Sequence, residues 1–357
     1  AGKMAVVYQA ARAHQKARFC AAWYYLDQAA VSLQRRAGLG RTLACEAFAN
    51  GAFILCDPRQ SRVAGTPESH AWWNTFVRSN EEAFGSRRMV AEVGLVFSPD
   101  CQLWELAPGG FPDMDVQPHV FGHWGWGTAL LDSHIPYVVL PDWKLTRSAI
   151  EGLRTLVLPD VVCLSEAAQR AITRWVRAGG RLIVSGPCGA RAGVEGAFEP
   201  RARDLCSCLG VAETGGNAML VGRGSVVRLP EGVGMRYYLR HEDRCYLRRG
   251  LVSSIEGLNP MLRTDAPTTI ETVVWKPDRQ AALDIDLANT DIDLASDRLR
   301  AAGPIRMTLR APWRGPTEVR TLSPDAVPPA EVRRSGGALE ISLDRLVHYA
   351  SIRVAPV

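Results

Sequence analysis

The sequence predicts an α/β chain that closes with an all-β domain, and three observations carry that expectation. Apolar runs of strand length alternate with helix-periodic segments up to about Leu209, the pattern of a parallel sheet with crossover helices. Glycine-bearing dipeptides mark where helices stop, at Asn50-Gly51 and Gly179-Gly180. Beyond Leu209 short strand-like runs take over, separated by turn signals at Gly315-Pro316, Ser323-Pro324-Asp325 and Gly336-Gly337.

Met4 to Arg18 carries apolar residues at helical spacing, and Phe19 to Tyr25 follows as a continuous apolar run, so helix and then buried strand are expected. A second such unit has a helix from Arg41 to Asn50 and a strand from Ala52 to Cys56. After a turn-rich loop, a helix is expected from about His70 to Phe84, where Trp73, Phe76, Val77 and Phe84 form a stripe. A strand over Glu92 to Phe97 then leads into a long loop rich in Pro and Gly, a helix around Trp126 to His134 and a strand over Tyr137 to Leu140. A short helix near Leu145 to Leu153, a strand over Thr155 to Leu158, a helix capped by Ser165 and a strand over Arg181 to Ser185 complete the α/β rhythm. The closing strands are expected at Ser225 to Leu229, Thr269 to Trp275, Ala281 to Leu287, Ile305 to Leu309, Glu318 to Leu322, Leu339 to Leu343 and Ala350 to Val354. A sandwich accommodates them.

With 357 residues the chain exceeds one ordinary core, and two or three domains follow. The net charge of +5 is spread along the chain, and its basic spots, Arg35-Arg36, Arg87-Arg88 and Arg248-Arg249, are isolated pairs. That reads as a solvated surface and argues against a nucleic-acid partner. The nine cysteines are scattered, several within apolar runs, which points to buried reduced thiols and a cytoplasmic setting. Cys206-x-Cys208 lacks the spacing of a zinc site, and no other cofactor is called for. No run approaches a membrane span, and the start at Ala1-Gly2-Lys3 reads as that of a fragment.

Three stretches together resemble glycoside hydrolase family 42. Glu46-Ala47-Phe48-Ala49-Asn50-Gly51-Ala52-Phe53, followed by Pro58-Arg59-Gln60-Ser61-Arg62, looks like the end of that family's catalytic barrel. Val93-Gly94-Leu95-Val96-Phe97-Ser98, Ile135 to Leu140, Leu156-Val157-Leu158-Pro159 and Trp175 to Ile183 are similar to its trimerisation domain, which has a class I glutamine-amidotransferase-like fold. Gly222 to Val227 and Leu287-Ala288-Asn289 continue the match. The resemblance implies the end of a (β/α)8 barrel over residues 1–88, a Rossmann-like or flavodoxin-like parallel-sheet domain over 89–230 and a β-rich domain over 231–357. It further implies a carbohydrate substrate, β-galactosides or related oligosaccharides, and a homotrimer. A barrel lacking its other strands would expose edges, so the isolated chain is expected to be poorly soluble.

Family members use two glutamates, an acid/base and a nucleophile. The acid/base belongs after the barrel's fourth strand, which this sequence does not contain. If Phe19 to Tyr25 is the seventh strand, the nucleophile belongs at its carboxyl end, where Asp27 stands in place of glutamate. Asp27 serves equally as a helix cap. By the same resemblance Tyr25, Asp57, Arg59, Glu68 and His70 would bind sugar hydroxyls, although Glu68-Ser69-His70 is also a natural helix start.

Other constellations compete. Cys188, in Ser185-Gly186-Pro187-Cys188-Gly189, stands where an amidotransferase-like fold puts a nucleophile, with His241-Glu242 the downstream base and carboxylate. Gly122-His123-Trp124-Gly125-Trp126-Gly127 reads either as an aromatic loop able to stack on sugar or as interface packing. His119 and His123 have the separation of a helical metal pair, but no acidic ligand is near and Pro118 argues for a loop. Asp284-Ile285-Asp286 suits a half-exposed strand.

Overall fold

The computed structural model describes residues 4–14, 20–22, 36–54, 65–106, 117–211, 217–239, 244–255, 260–278, 280–327 and 329–357. The chain divides into two compact units: Ala1–Val6, Ala91–Ser133 and Tyr137–Asn259 in the first, and Val7–Val90, His134–Pro136 and Pro260–Val357 in the second. Among the described residues no helix is long and apolar enough to cross a membrane.

The first unit is built on a six-stranded sheet. Its order is Tyr137–Pro141, Val93–Phe97, Thr155–Leu158, Arg181–Ser185, Gly224–Leu229 and Ala218–Val221. The first five strands run parallel and the last is antiparallel. The chain enters at Val93–Phe97, steps to one side, then returns across it to Thr155–Leu158, so the strand order reverses between those two strands. Leu156, Leu158, Leu182, Val184 and Val226 from the sheet pack with Ile172 and Val176 of the helix Glu166–Arg177. As expected, Ser165 caps that helix, its Oγ accepting the Ala168 N–H at 3.1 Å. Gly180 ends it tightly, since a Cβ there would lie 2.4 Å from the Trp175 ring.

Three features of this unit depart from the sequence reading. The segment after Phe97, expected as loop, starts with a helix, Pro99–Leu106, whose first turn is tied by the Cys101 N–H to Ser98 Oγ at 3.2 Å. The helix expected around Trp126 begins at Pro118 and runs to Asp132. Proline is favourable at that first position because the N–H it lacks would have no helical partner. Beyond Leu229, where strands were expected, stand the helices Val233–Leu239 and Arg244–Ser253. Val233–Leu239 crosses Pro118–Asp132 so closely that a Cβ on Gly125 would come 1.8 Å from the Gly234 carbonyl oxygen. Glycine at that crossing, rather than any local periodicity, lets the two helices pack.

The second unit is layered. The sheet Leu262–Thr264, Ile305–Leu309, Ala338–Leu343, Glu331–Ser335 faces the sheet Thr317–Leu322, Tyr349–Pro356, Leu283–Asn289, Ile270–Pro277, Arg87–Met89. Leu283, Ile285, Leu287, Ile305, Met307, Ile341 and Ile352 fill the space between them, so the expected sandwich is present. Six of the seven closing strands named from the sequence lie here, within two residues of their observed bounds, whereas the seventh, Ser225 to Leu229, is instead the fifth parallel strand of the first unit. Arg87–Met89 was not foreseen; it pairs antiparallel with Trp275–Pro277.

Helices cover the outer face of that second sheet. Phe48 of Ala37–Ala49 and Trp73 and Phe76 of Pro67–Ser79 pack on Ala288 and Tyr349, with Phe48 and Trp73 edge-on at 5.2 Å. The strand Leu283–Asn289 is consequently buried along its whole length. Asp284 and Asp286 are therefore buried rather than half-exposed, and arginines hold them. Arg87 bonds both oxygens of Asp286, at 3.1 and 2.7 Å, and Arg353 both oxygens of Asp284, at 2.7 and 2.8 Å. Burial opposes the Arg87 charge, but Asp286, Tyr349 and Asp284 around it together outweigh burial and raise its pKa. A short parallel pair, Cys20–Ala22 with Ala52–Ile54, completes this unit, and Gly51 turns into it with φ +81°.

Candidate functional site

The parallel pair of the second unit points its carboxyl ends into residues 23–35 and 55–64. Tyr25, Asp27, Asp57 and Arg59 thus lie outside the described residues. Glu68 and His70 are described, and both belong to the first turn of Pro67–Ser79. Thr66 caps that turn: its Oγ1 accepts the Ser69 N–H at 3.2 Å, while Ser69 Oγ accepts the Thr66 N–H at 2.9 Å. Glu68 is exposed, and its own backbone N–H and the Thr66 hydroxyl hold its carboxylate below the ordinary range. His70 is half-buried, its N–H donating to the Thr66 carbonyl at 3.1 Å. A carboxylate and an imidazole thus share one helix turn, the helix start that Glu68-Ser69-His70 also suggested.

The same helix carries a cluster that the sequence did not disclose. Trp72 has the Arg41 guanidinium 5.0 Å from its ring on one contact and the His348 ring 5.1 Å away on another. Asp325 accepts the His348 N–H at 2.9 Å and pairs with its Nδ1 at 3.0 Å. Burial opposes the Asp325 charge, yet these bonds hold it below the ordinary value. Arg41, Trp72, Asp325 and His348 stand far apart in sequence, so no motif could have joined them.

In the first unit the position to test is the reversal point of the sheet, the crevice in which doubly wound folds bind ligands. Here the chain's own side chains fill it. His119 Nε2 accepts the backbone N–H of Ser98 at 2.8 Å, so its Nδ1 carries the proton and donates to the Pro159 carbonyl at 2.7 Å. Burial pulls its pKa down to about 4, keeping the ring neutral. Both ring nitrogens are committed to backbone, which leaves no lone pair for a metal. Ser98 Oγ donates to Asp142, and Glu105 accepts the His119 N–H at 2.7 Å. Burial pushes Glu105 up to about 7.

Asp160 completes this edge. It has φ +49°, accepts the Gly232 N–H at 2.9 Å, and is pushed up to about 6 by burial. A Cβ on Gly122 or on Gly186 would meet its carboxylate at 2.8 Å. The glycines of the Gly122 to Gly127 stretch therefore admit a carboxylate and a neighbouring helix, and Trp126 is buried in the helix rather than displayed on a loop.

Cys188 is a core thiol. It is fully buried, and desolvation holds its thiol well above the ordinary value, with Cys206 and Asp160 adding to the effect. Its loop is closed by the Gly189 N–H donating to the Val161 carbonyl at 2.8 Å. His241 and Glu242 lie outside the described residues.

No protein-family model and no curated protein sequence matches the chain. Solved structures do. α-L-Fucosidase isoenzyme 2 from Paenibacillus thiaminolyticus aligns with a TM-score of 0.62 and 13% identity, over 90% of this chain and 58% of that one. The β-galactosidase from Bacillus circulans sp. alkalophilus aligns at 0.58 and 12% identity, over 90% of this chain and 52% of that one. A family 42 β-galactosidase from G. stearothermophilus aligns at 0.57 and 13% identity, over 89% of this chain and 51% of that one. The chain thus spans little more than half the length of these structures, and its fold is that of the carboxy-terminal part of family 42 β-galactosidases and related glycosidases.

Proposed function

We propose that this chain is the carboxy-terminal portion of a glycoside hydrolase acting on β-galactosides or related oligosaccharides. The observation that carries the reading is the continuous fold match across both units to glycosidases. In this reading the pair Cys20–Ala22 and Ala52–Ile54 is the end of a catalytic barrel. Asp27 stands at the nucleophile position, and Tyr25, Asp57, Arg59, Glu68 and His70 line the sugar site. The first unit acts as an oligomerisation domain, and the free thiols Cys45, Cys101, Cys163, Cys188, Cys206 and Cys208 suit a reducing, cytoplasmic compartment.

The test is hydrolysis of chromogenic β-galactosides and α-L-fucosides by the protein carrying this chain, with Asp27→Asn and His70→Ala beside the parent. Turnover that falls by orders of magnitude in Asp27→Asn supports the assignment. Absence of both turnover and glycoside binding overturns it. A second reading, a non-catalytic assembly or carbohydrate-binding module, is favoured by Asp27 standing where the family carries glutamate. Glycoside binding without turnover, unchanged in Asp27→Asn, decides for that alternative.

A further inference from the structure

Along the sequence the arginines are dispersed, but the fold gathers four of them around one cavity at the amino-terminal edge of the parallel sheet. Arg147, Arg154, Arg174 and Arg181 line a cavity of about 610 Å³ together with Trp175. Glu151 is the one carboxylate among the described residues that line it. Their placement follows from the fold. Arg154 immediately precedes the strand Thr155–Leu158 and Arg181 opens its neighbour, the two backbones joined by the Arg181 N–H to the Arg154 carbonyl at 3.0 Å. Arg174 and Trp175 lie on the face of Glu166–Arg177 that also turns Ala171 and Ala178 to the cavity.

Two properties of this lining point the same way. Like charges gathered in a concavity repel one another, and an anion held among them relieves that repulsion. Arg154 has a partner at the rim, Glu92 at 3.6 Å, whereas Arg147 and Arg174 are exposed at the mouth. Guanidinium groups offer planar forks that match phosphate and carboxylate oxygens. The indole of Trp175, seated against Gly180, supplies an apolar wall on which a saturated ring can lie. The volume falls in the range of small-molecule sites.

We propose that this cavity binds a sugar-sized anion, a ring bearing a phosphate or a carboxylate. The proposal stands whether or not the chain takes part in glycoside hydrolysis.

Calorimetric titration of the protein carrying this chain at low salt with glucose 6-phosphate, glucuronate, galactose and inorganic phosphate tests it, with Arg147→Ala/Arg174→Ala as the variant. Both substituted side chains are exposed, so the fold is expected to persist, and circular dichroism verifies it. Saturable binding of either sugar anion, weakened roughly tenfold in the double variant and further by added salt, is the expected result. Binding of glucose 6-phosphate alone assigns the anion as phosphate, and binding of glucuronate alone assigns it as carboxylate. A fluorescence change on binding that disappears in Trp175→Phe places the ring. Equal binding of galactose, inorganic phosphate binding as tightly as its sugar ester, or affinity unchanged in the double variant would each overturn the proposal.

Discussion

His119 accepts the backbone N–H of Ser98 at 2.8 Å, and through that bond one side chain occupies the crevice at the reversal point of the parallel sheet. The same ring reaches the Pro159 carbonyl at 2.7 Å, so it spans the carboxyl ends of the two strands between which the order reverses. A histidine whose nitrogens both serve backbone groups is a structural bridge.

His119→Ala is expected to destabilise the chain by about 2–4 kcal/mol, because a buried N–H and a buried carbonyl each lose their partner along with the packing of the ring. Urea denaturation followed by circular dichroism measures this. A loss below about 0.5 kcal/mol would mean that the bridge contributes nothing to stability.

Glu105 gives a pH signature. Burial pushes it up to about 7, so between its ordinary value and 7 the folded chain keeps a proton that the unfolded chain has released, and stability falls as pH rises. Asp160, pushed up to about 6, acts in the same sense. His119, pulled down to about 4, acts in the opposite sense, since between 4 and its ordinary value the unfolded ring holds the extra proton. Glu105→Gln isolates one contribution. Relative to the parent it is expected to gain roughly 1 kcal/mol between about pH 5 and about pH 8, after discounting for solvent screening. A difference that stays flat with pH would refute the assignment.

At the helix crossing of the first unit, Gly125→Ala places a methyl group 1.8 Å from the Gly234 carbonyl oxygen. The backbones must separate, and a cost of about 2–3 kcal/mol follows. Gly152→Ala, where a Cβ meets nothing within 4 Å, is the control and is expected to be nearly neutral. Thermal melts of both variants decide; equal melting temperatures would show that the crossing tolerates separation.

Arg87→Ala strands Asp286 in the buried layer between sheet and helices, and a loss of about 3–5 kcal/mol is expected. Arg87→Met with Asp286→Leu removes both charges and should recover much of that loss. A single variant as stable as the parent in guanidinium titration would show that the pair carries no structural weight.

The elements with local signals were legible. Ser165 and Gly51 stand where caps were expected because capping is a matter of a few adjacent residues. The closing strands Ile305–Leu309 and Ala338–Leu343 alternate as a sandwich face requires, and Met307 and Ile341 point inward accordingly. The helix Val233–Leu239 was missed because it is supported by packing on the distant helix Pro118–Asp132, where Gly125 and Gly234 allow the close approach, and not by a local periodicity. Asp284 was misjudged as half-exposed because the helices that cover it lie more than two hundred residues earlier in the chain. Glu68 and His70 could be paired from sequence, being neighbours on one turn, whereas the cluster of Arg41, Trp72, Asp325 and His348 could not.

By itself the sequence determined much of the succession of helices and strands, the caps at Ser165 and Gly51, and the change from α/β to β-rich character along the chain. These follow from periodicity and turn chemistry, which act over a few residues. Tertiary structure alone decided which polar groups are used up and which are gathered. It closed the sheet's crevice with His119, buried Asp286 against Arg87, and brought Arg147, Arg154, Arg174 and Arg181 to one cavity. Burial and convergence depend on elements remote in the chain, and charge or hydrogen-bond partnership across such distances leaves no periodic mark.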